Sequence, residues 1–211
     1  MNETSHAEIR TIARSYFEDA QPAHDWNHVV RVKRLAETLL EDRDDACETV
    51  VELAVYLHDI GRTREAAGSI EDHATWGATE ARSILARYDP ATVDAVCHCI
   101  RAHRYSNDVD PETPEAKLVS DADNLDAIGA IGIARAIAHG SEYGQPIHDP
   151  VYVDRNARAV STDSTVAHVE SKLLSLRDRM YTDAGRELAE RRHAYVEEFL
   201  ERLARETGES V

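Results

Sequence analysis

The stretch from Val50 to Leu57 is apolar apart from Glu52, and it runs straight into His58-Asp59-Ile60-Gly61. A segment with so little polar surface belongs inside a core, so the rest of the chain has to supply elements that cover it. The imidazole and carboxylate at its end contribute nothing to that burial. Two adjacent side chains that both bind metals, placed at a helix end, mark a site. Three other places can close it: His28 upstream, His73 and His103, and the acidic cluster Asp121-Ala122-Asp123 downstream.

Helical periodicity supplies the covering elements. Glu8 to Phe17 reads as a short, weakly amphipathic helix stopped by Gln21-Pro22. Val29, Val32, Leu35, Ala36, Leu39 and Leu40 mark the first strong helix, with Asp25 as its N-cap and His28 beside its apolar stripe. The next starts at Asp44 or Asp45, turns Cys47, Val50, Val51, Ala54, Val55, Leu57 and His58 inward, and stops at Gly61 as a C-cap. Arg62 to Ser69 reads as a loop. A helix over 72–88 carries His73, Gly77 and Ala81 at i, i+4 and i+8.

Asp89-Pro90 and Thr113-Pro114 are helix starts, a capping side chain followed by proline at the first helical position. The first opens a helix whose stripe of Val93, Val96, Cys97 and Ile100 extends to His103. After an acidic loop, Tyr105 to Glu112, the second opens a helix that runs to His139-Gly140. It sets Val119, Asp123, Asp126 and Ala130 along one side. Its stretch from Ala127 to Ala134 has no charge and little bulk, which predicts a central position; Gly129 and Gly132 admit close backbones at about 1 kcal/mol each. Ser141 to Thr162 has no clean period, and a stretch that long in a compact domain is usually functional or mobile. Val166, Val169, Leu173, Leu176 and Met180 make a further stripe. Thr182 caps a last helix with Leu188, Arg192, Tyr195, Phe199 and Leu203 on one side. No segment reads as a strand. The predicted fold class is all-α, a single-domain helical bundle with a metal site between helices. It divides into an N-terminal helix over 1–20, a metal-binding core over 21–140, an irregular loop near the site over 141–162, and C-terminal helices over 163–211.

Charge narrows the function classes. The chain has 40 acidic against 24 basic residues, a formal net charge of -16, and its only lysines are Lys33, Lys117 and Lys172. An acidic, lysine-poor surface fits a protein adapted to high salt, which is a statement about solubility rather than fold. It argues against nucleic-acid polymers as partners, because those need cations to neutralise phosphates. There is no signal-peptide pattern over Met1 to Arg10 and no apolar stretch of bilayer-spanning length. Cys47, Cys97 and Cys99 form a sparse, odd set without zinc-site spacing, which reads as reduced thiols in a cytoplasmic protein.

The residues proposed to hold the metal are His28, His58, Asp59 and Asp123, with Asp59 also the central catalytic group. Two imidazoles and two carboxylates suit Mn, Fe, Co, Ni or Zn as the divalent cofactor better than Ca²⁺, which prefers oxygen alone. Four protein ligands on an octahedral cation leave two positions, one for water and one for a substrate oxygen, the usual logic of metal-assisted hydrolysis. His24 is the rival to His28, and Asp121 and Asp126 are the rivals to Asp123. Asp126 also shares a face with Asp123 and is placed behind the ligands as a supporting partner. His73 and His103 are candidates for a second metal, against the alternative of hydrogen-bonded buried histidines. Arg62 and Lys172 are candidate substrate-binding cations, with Arg179 beside them; the alternative is a solvated face or a surface ion pair. Trp26 and Trp76 read as packing residues, and Arg135 stays open between ion pairing and substrate contact.

In this ordered pattern the sequence resembles the HD superfamily of metal-dependent phosphohydrolases. The resemblance is carried by Asp25-Trp26-Asn27-His28, Leu57-His58-Asp59-Ile60, Asp121-Ala122-Asp123-Asn124-Leu125-Asp126-Ala127-Ile128-Gly129 and His168-Val169-Glu170-Ser171-Lys172-Leu173. It covers about residues 20 to 205 and points to a branch of small, stand-alone HD proteins. Each fragment alone is weak; all of them in order are a strong signal. The resemblance implies a helical bundle, a metal between helices, and hydrolysis of phosphate esters or anhydrides in nucleotides or other small phosphorylated compounds, including nucleotide pyrophosphohydrolase or phosphodiesterase chemistry. One departure stands out. Some nucleotidase members carry a glutamate three residues after the His-Asp pair, where this chain has Arg62. The general acid or base is therefore unassigned, with Glu65 and Asp126 as guesses, and a non-catalytic ligand-binding or regulatory module is the alternative. A homodimer is compatible with the sequence.

Overall fold

Side-chain caps decide where most helices begin. The computed structural model describes residues 5–41, 43–104, 109–149 and 164–208. Helix α1 (His6–Ser15) opens on a reciprocal capping box between Ser5 and Glu8, and α2 (Trp26–Leu40) opens on Asp25, which accepts the His28 N–H. Asp72 caps α5 (His73–Ile84), Asp89 caps α6 (Pro90–Ala102) and Thr113 caps α7 (Pro114–Asp126) in the same way. Each such cap satisfies an N–H that the helix itself leaves open and is worth about 1 kcal/mol. Helix α3 (Glu48–Leu57) lacks a side-chain cap and is held instead by burial, since Val50, Val51 and the whole run Leu53 to Leu57 are buried. It packs against α1, α2, α6 and α7, as its composition requires. No strand occurs among the described residues.

The second half of the bundle departs from the sequence-based expectations. Arg62 to Ala66 is not loop but a short helix, α4. Gly61 is not a left-handed cap, having φ -88°. It is glycine because a Cβ there would lie 2.7 Å from the His73 carbonyl oxygen, so it lets α5 approach the His-Asp turn. The helix predicted to run from 113 to 140 is two helices. α7 stops at Asp126, Ile128 is extended, and α8 (Gly129–Glu142) starts at a glycine with φ 80°. A left-handed residue cannot continue a right-handed helix, and only glycine adopts it cheaply. The central helix of this half is α7, buried along nearly its whole length. α8 lies at the surface, with Ala130, Ile131 and Ala134 exposed.

The third helix begins at Glu48 rather than Asp44, and Cys47 is exposed. After the described stretch ends at Asp149, the chain resumes at Ser164; the expected irregular loop over 141–162 falls largely outside the described residues, as does much of the Tyr105–Glu112 loop. α9 (Thr165–His168) continues through a π-type turn, Val169–Leu173, and a 3-10 segment, Leu174–Arg179, burying Val169, Leu173 and Leu176. The last helix, α10 (Asp183–Thr207), buries Gly185, Ala189, His193 and Val196, a stripe rotated from the one expected, which leaves Tyr195 exposed. The reason is the partner. α10 lies against α7 and α8, and its approach to α7 is set by Asp121, whose carboxylate accepts the Tyr181 N–H (2.8 Å), the Thr182 N–H (2.8 Å) and the Thr182 hydroxyl (2.6 Å). A side chain at Gly185 would collide with that carboxylate.

Candidate metal centre

Residues far apart in the chain meet at the end of α3. His28 arrives on the first turn of α2, His58 and Asp59 follow α3, and Asp123 projects from α7. His28 Nε2 lies 3.2 Å from His58 Nε2, 3.3 Å from Asp123 Oδ1 and 3.5 Å from Asp59 Oδ2. His58 Nε2 is 3.7 Å from Asp59 Oδ2 and 3.9 Å from Asp123 Oδ1. A cation about 2.1 Å from each ligand separates ligand pairs by about 3 to 4.2 Å; His28, His58 and Asp59 each offer an atom that could hold one ion, and Asp123 lies beside His28.

The other oxygen of Asp59 faces a second group. His73 Nε2 is 3.1 Å and His103 Nε2 3.5 Å from Asp59 Oδ1, and the two imidazole nitrogens are 3.4 Å apart. His73 enters on the first residue of α5 and His103 closes α6. Asp59 therefore stands between two histidine pairs and turns one oxygen to each. All four histidines are buried, as is Asp59.

The far nitrogens settle which way each ring presents its lone pair. His58 Nδ1 is 2.8 Å from the Val55 carbonyl and His103 Nδ1 2.6 Å from the Ile100 carbonyl. A carbonyl oxygen only accepts, so each Nδ1 must carry the proton and each neutral ring aims a bare Nε2 inward. His28 Nδ1 donates to Asp126 Oδ2 at 2.8 Å and His73 Nδ1 to Glu65 Oε2 at 2.9 Å, with the same result. Inward lone pairs facing one another repel unless something positive lies between them. This is the arrangement that orients metal-binding histidines.

The surrounding carboxylates favour a positive charge at His28. Burial and Arg135 oppose charge on His28, yet the carboxylates of Asp123, Asp126 and Asp59 lift its pKa to about 9. Burial pushes His58 down to about 4. Asp59 is held well below the usual carboxylate range against its burial by Arg62 and the surrounding imidazoles, and Asp123 likewise by His28. Asp126 lies behind His28 and also accepts Arg31 Nε at 2.7 Å and Arg135 Nη1 at 2.9 Å; burial opposes its charge, but these partners bring its pKa down to about 2.

Of the rivals, Asp121 is committed to Thr182, and the His24 ring lies 6.3 Å from the His28 ring rather than among the ligands. Arg135 pairs with Asp126 and donates to the Ala23 carbonyl at 2.8 Å, and it also lines the cleft that opens over Asp123. Trp26 stacks on Tyr56 and meets Phe17 edge-on, while Trp76 packs against Tyr16 and under Arg64, so both are packing residues.

A cleft of about 760 Å³ opens over Asp123 and is lined by Arg62, Glu65, Arg104, Arg135 and Lys172 among others. Arg62 Nε is 3.2 Å from Asp59 Oδ1, and Glu65 holds Arg62 and Arg104 at 3.4 and 3.3 Å. Arg179 does not line it. The four cations share the cleft with Asp19, Glu65, Asp123 and Glu142, so its lining is of mixed charge in a chain of net charge -16. Sequence reasoning does not single out two supporting cations, Arg31 on Asp126 and Arg104 on Glu65. Arg31 was legible as the residue i+3 from His28; Arg104 offered only its position after His103.

The sequence model of the HD domain matches residues 25–128. The uncharacterised protein YpgQ of Bacillus subtilis is 33% identical over 213 residues, covering 98% of this chain and 96% of that protein. The crystal structure of YpgQ in complex with ADP aligns over 96% of this chain and 97% of its own, with 31% identity and a TM-score of 0.74. An HD-superfamily hydrolase from Bacillus thuringiensis aligns over 97% of both chains, with 31% identity and a TM-score of 0.72. Among the described residues no helix is long and apolar enough to cross a membrane.

Proposed function

Because the chain belongs to the HD-domain family, we propose that it is a metal-dependent phosphohydrolase acting on nucleotides or other small phosphorylated compounds. The observation that carries this reading is Asp59, with one oxygen toward His28 and His58 and the other toward His73 and His103. His28, His58, Asp59 and Asp123 would hold one divalent transition metal, and Asp59, His73 and His103 a second. When bound there, such ions supply Lewis-acid charge to a phosphoryl oxygen and make water more acidic.

The chain's own residues do the remainder. Val55, Ile100, Glu65 and Asp126 fix the four ring orientations through Nδ1. Arg62, Arg104 and Lys172 place positive charge along the cleft that leads to Asp123, where they bind and orient phosphate oxygens. Asp123 is the ligand that faces the cleft, 20% exposed against 2% for Asp59, so a phosphoryl group reaches the centre past Asp123. Asp126 is enclosed by His28, Arg31 and Arg135 and serves as their support rather than as a general acid. The ADP held by YpgQ supports a nucleotide as the ligand.

One observation favours a non-catalytic binding module instead. Arg62 Nε donates to Asp59 Oδ1, the atom the second metal requires. Phosphate and pyrophosphate release from nucleoside mono-, di- and triphosphates with Mn²⁺, Co²⁺ or Ni²⁺, beside elemental analysis, separates the readings. Hydrolysis with at least one metal is the outcome the proposal requires. Tight nucleotide binding with no turnover under any metal would leave the module.

A further inference from the structure

The tryptophans are committed to packing, so any ring that meets a ligand must come from elsewhere. Among the described residues the aromatic rings lining the cleft are His24, His139, His168 and Tyr143. Three of them form a file. The His24 ring is 6.0 Å from the His139 ring, nearly perpendicular at 82°, and the His139 ring is 4.7 Å from Tyr143. At its inner end the file abuts His28, 6.3 Å from His24. At its outer end Tyr143, the C-cap of α8, is 64% exposed. A large ring this open at the rim of the cleft leaves a face available to a ligand.

The file and the cations share one cavity. Arg135 and Lys172 line the cleft with His139 and Tyr143, and Arg62 and Arg104 line it beside the metal centre. The cleft thus offers the cations of Arg62, Arg104, Arg135 and Lys172, within a lining that also carries Asp19, Glu65, Asp123 and Glu142, and a ring platform where Tyr143 is exposed. A ligand that matches both is an anion carrying a flat, π-bearing group at one end. We propose that His139 and Tyr143 form a stacking site for the base of a nucleoside phosphate whose phosphates lie toward Arg62 and Arg104. This rests on the phosphohydrolase reading for its choice of a phosphate ligand, but it is tested through binding. Base stacking on an aromatic side chain is sequence-tolerant because every base has a π face, so the site selects nucleotides over base-free phosphates without selecting one base sharply.

The test is calorimetric titration of the full chain with ADP and, separately, with inorganic pyrophosphate, both in Mn²⁺. Wild type should bind ADP more tightly than pyrophosphate. Tyr143→Ala should weaken ADP binding roughly 5- to 100-fold and leave pyrophosphate binding unchanged, while Tyr143→Phe restores the ADP value. His139→Ala should act in the same direction. Equal affinity of wild type for ADP and pyrophosphate, no ADP binding at all, or an equal loss for both ligands in Tyr143→Ala each overturns the stacking site. A base-dependent affinity in a protein that hydrolyses nothing would remove the hydrolase reading and keep the stack. Hydrolysis of tripolyphosphate and nucleotides with equal affinity would do the reverse.

Discussion

The two halves of the proposed centre share Asp59 and differ in what stands behind them. On one side, His28 and His58 are joined by Asp123, and the support behind His28 is Asp126, which is buried and held by two arginines. On the other side, among the described residues, His73 and His103 share with Asp59 a group that could hold an ion and that includes no second carboxylate. The support behind His73 is Glu65, which lines the open cleft and is shared with Arg62 and Arg104. The first half has four candidate ligands and a closed rear; the second has three, and its rear carboxylate faces the ligand cleft. Metal affinity follows ligand number, charge and the rigidity of the supporting partners. The comparison therefore predicts a tightly held cation on the His28 side and a more readily exchanged one on the His73 side.

The largest effect should come from the residue the halves share. Asp59→Ala should empty both, giving a metal content near zero by elemental analysis and a loss of phosphohydrolysis of more than about 100-fold, since outer partners alone are worth 10–100-fold. Retained helicity by circular dichroism would show that the fold survives. Full activity in that variant would remove the centre altogether. His103→Ala should be narrower. Metal content after loading should fall from about two ions per chain to about one, and the remaining ion should resist a chelator as it does in wild type. A variant that loses both ions, or neither, would deny that the halves are separable.

Asp126→Asn probes the closed rear. The amide still accepts the His28 Nδ1–H but no longer carries the charge that pairs with Arg31 and Arg135. Affinity at the first half should drop 10- to 100-fold while the second is unchanged. The same substitution has an acid signature in the metal-free protein. Asp126 is depressed in the fold to about 2 from an unfolded value of about 3.8. Its stabilisation is thus fully present above about pH 4 and is lost as pH falls through about 2, an effect on the order of 2 kcal/mol. Acid unfolding curves should be steeper for wild type than for Asp126→Asn in that window; coincident curves would show that the carboxylate is not held as described.

Much of this was legible in the sequence, and the reasons differ by residue. His28, His58, Asp59 and Asp123 are readable as candidate ligands because they stand at helix ends or beside apolar stripes, and because their order resembles a known family; the structure brings them together. His73 and His103 were readable as candidates from the same stripes. The break between α7 and α8 was not. Gly129 looked like a small residue for close packing, and only its left-handed φ separates that from a helix start. The exposed face of α8 was misjudged for a related cause: a run of small apolar residues without charge reads as buried, yet Ala130 and Ala134 are small enough to be exposed with little penalty. Arg31 and Arg104 illustrate a third case. A supporting cation has no pattern of its own, so its role appears only once the carboxylate it serves has been placed.

The smallest effect is expected at the open rear and is also the sharpest test of the contrast. Glu65→Gln keeps an oxygen for the His73 Nδ1–H, so the ring should hold its direction, but the charge that raises the basicity of the imidazole is gone. The change should weaken the second half about tenfold, near 1.4 kcal/mol, and leave the first half unaltered. Stepwise metal titration of the chelator-treated protein resolves the two events. Combined with Asp126→Asn, the losses should add to within about 0.5 kcal/mol, because the two supports share no partner except through Asp59. A larger departure would mean that Asp59 moves when either half is loosened, and that the two ions are held by one flexible ligand rather than two fixed pockets.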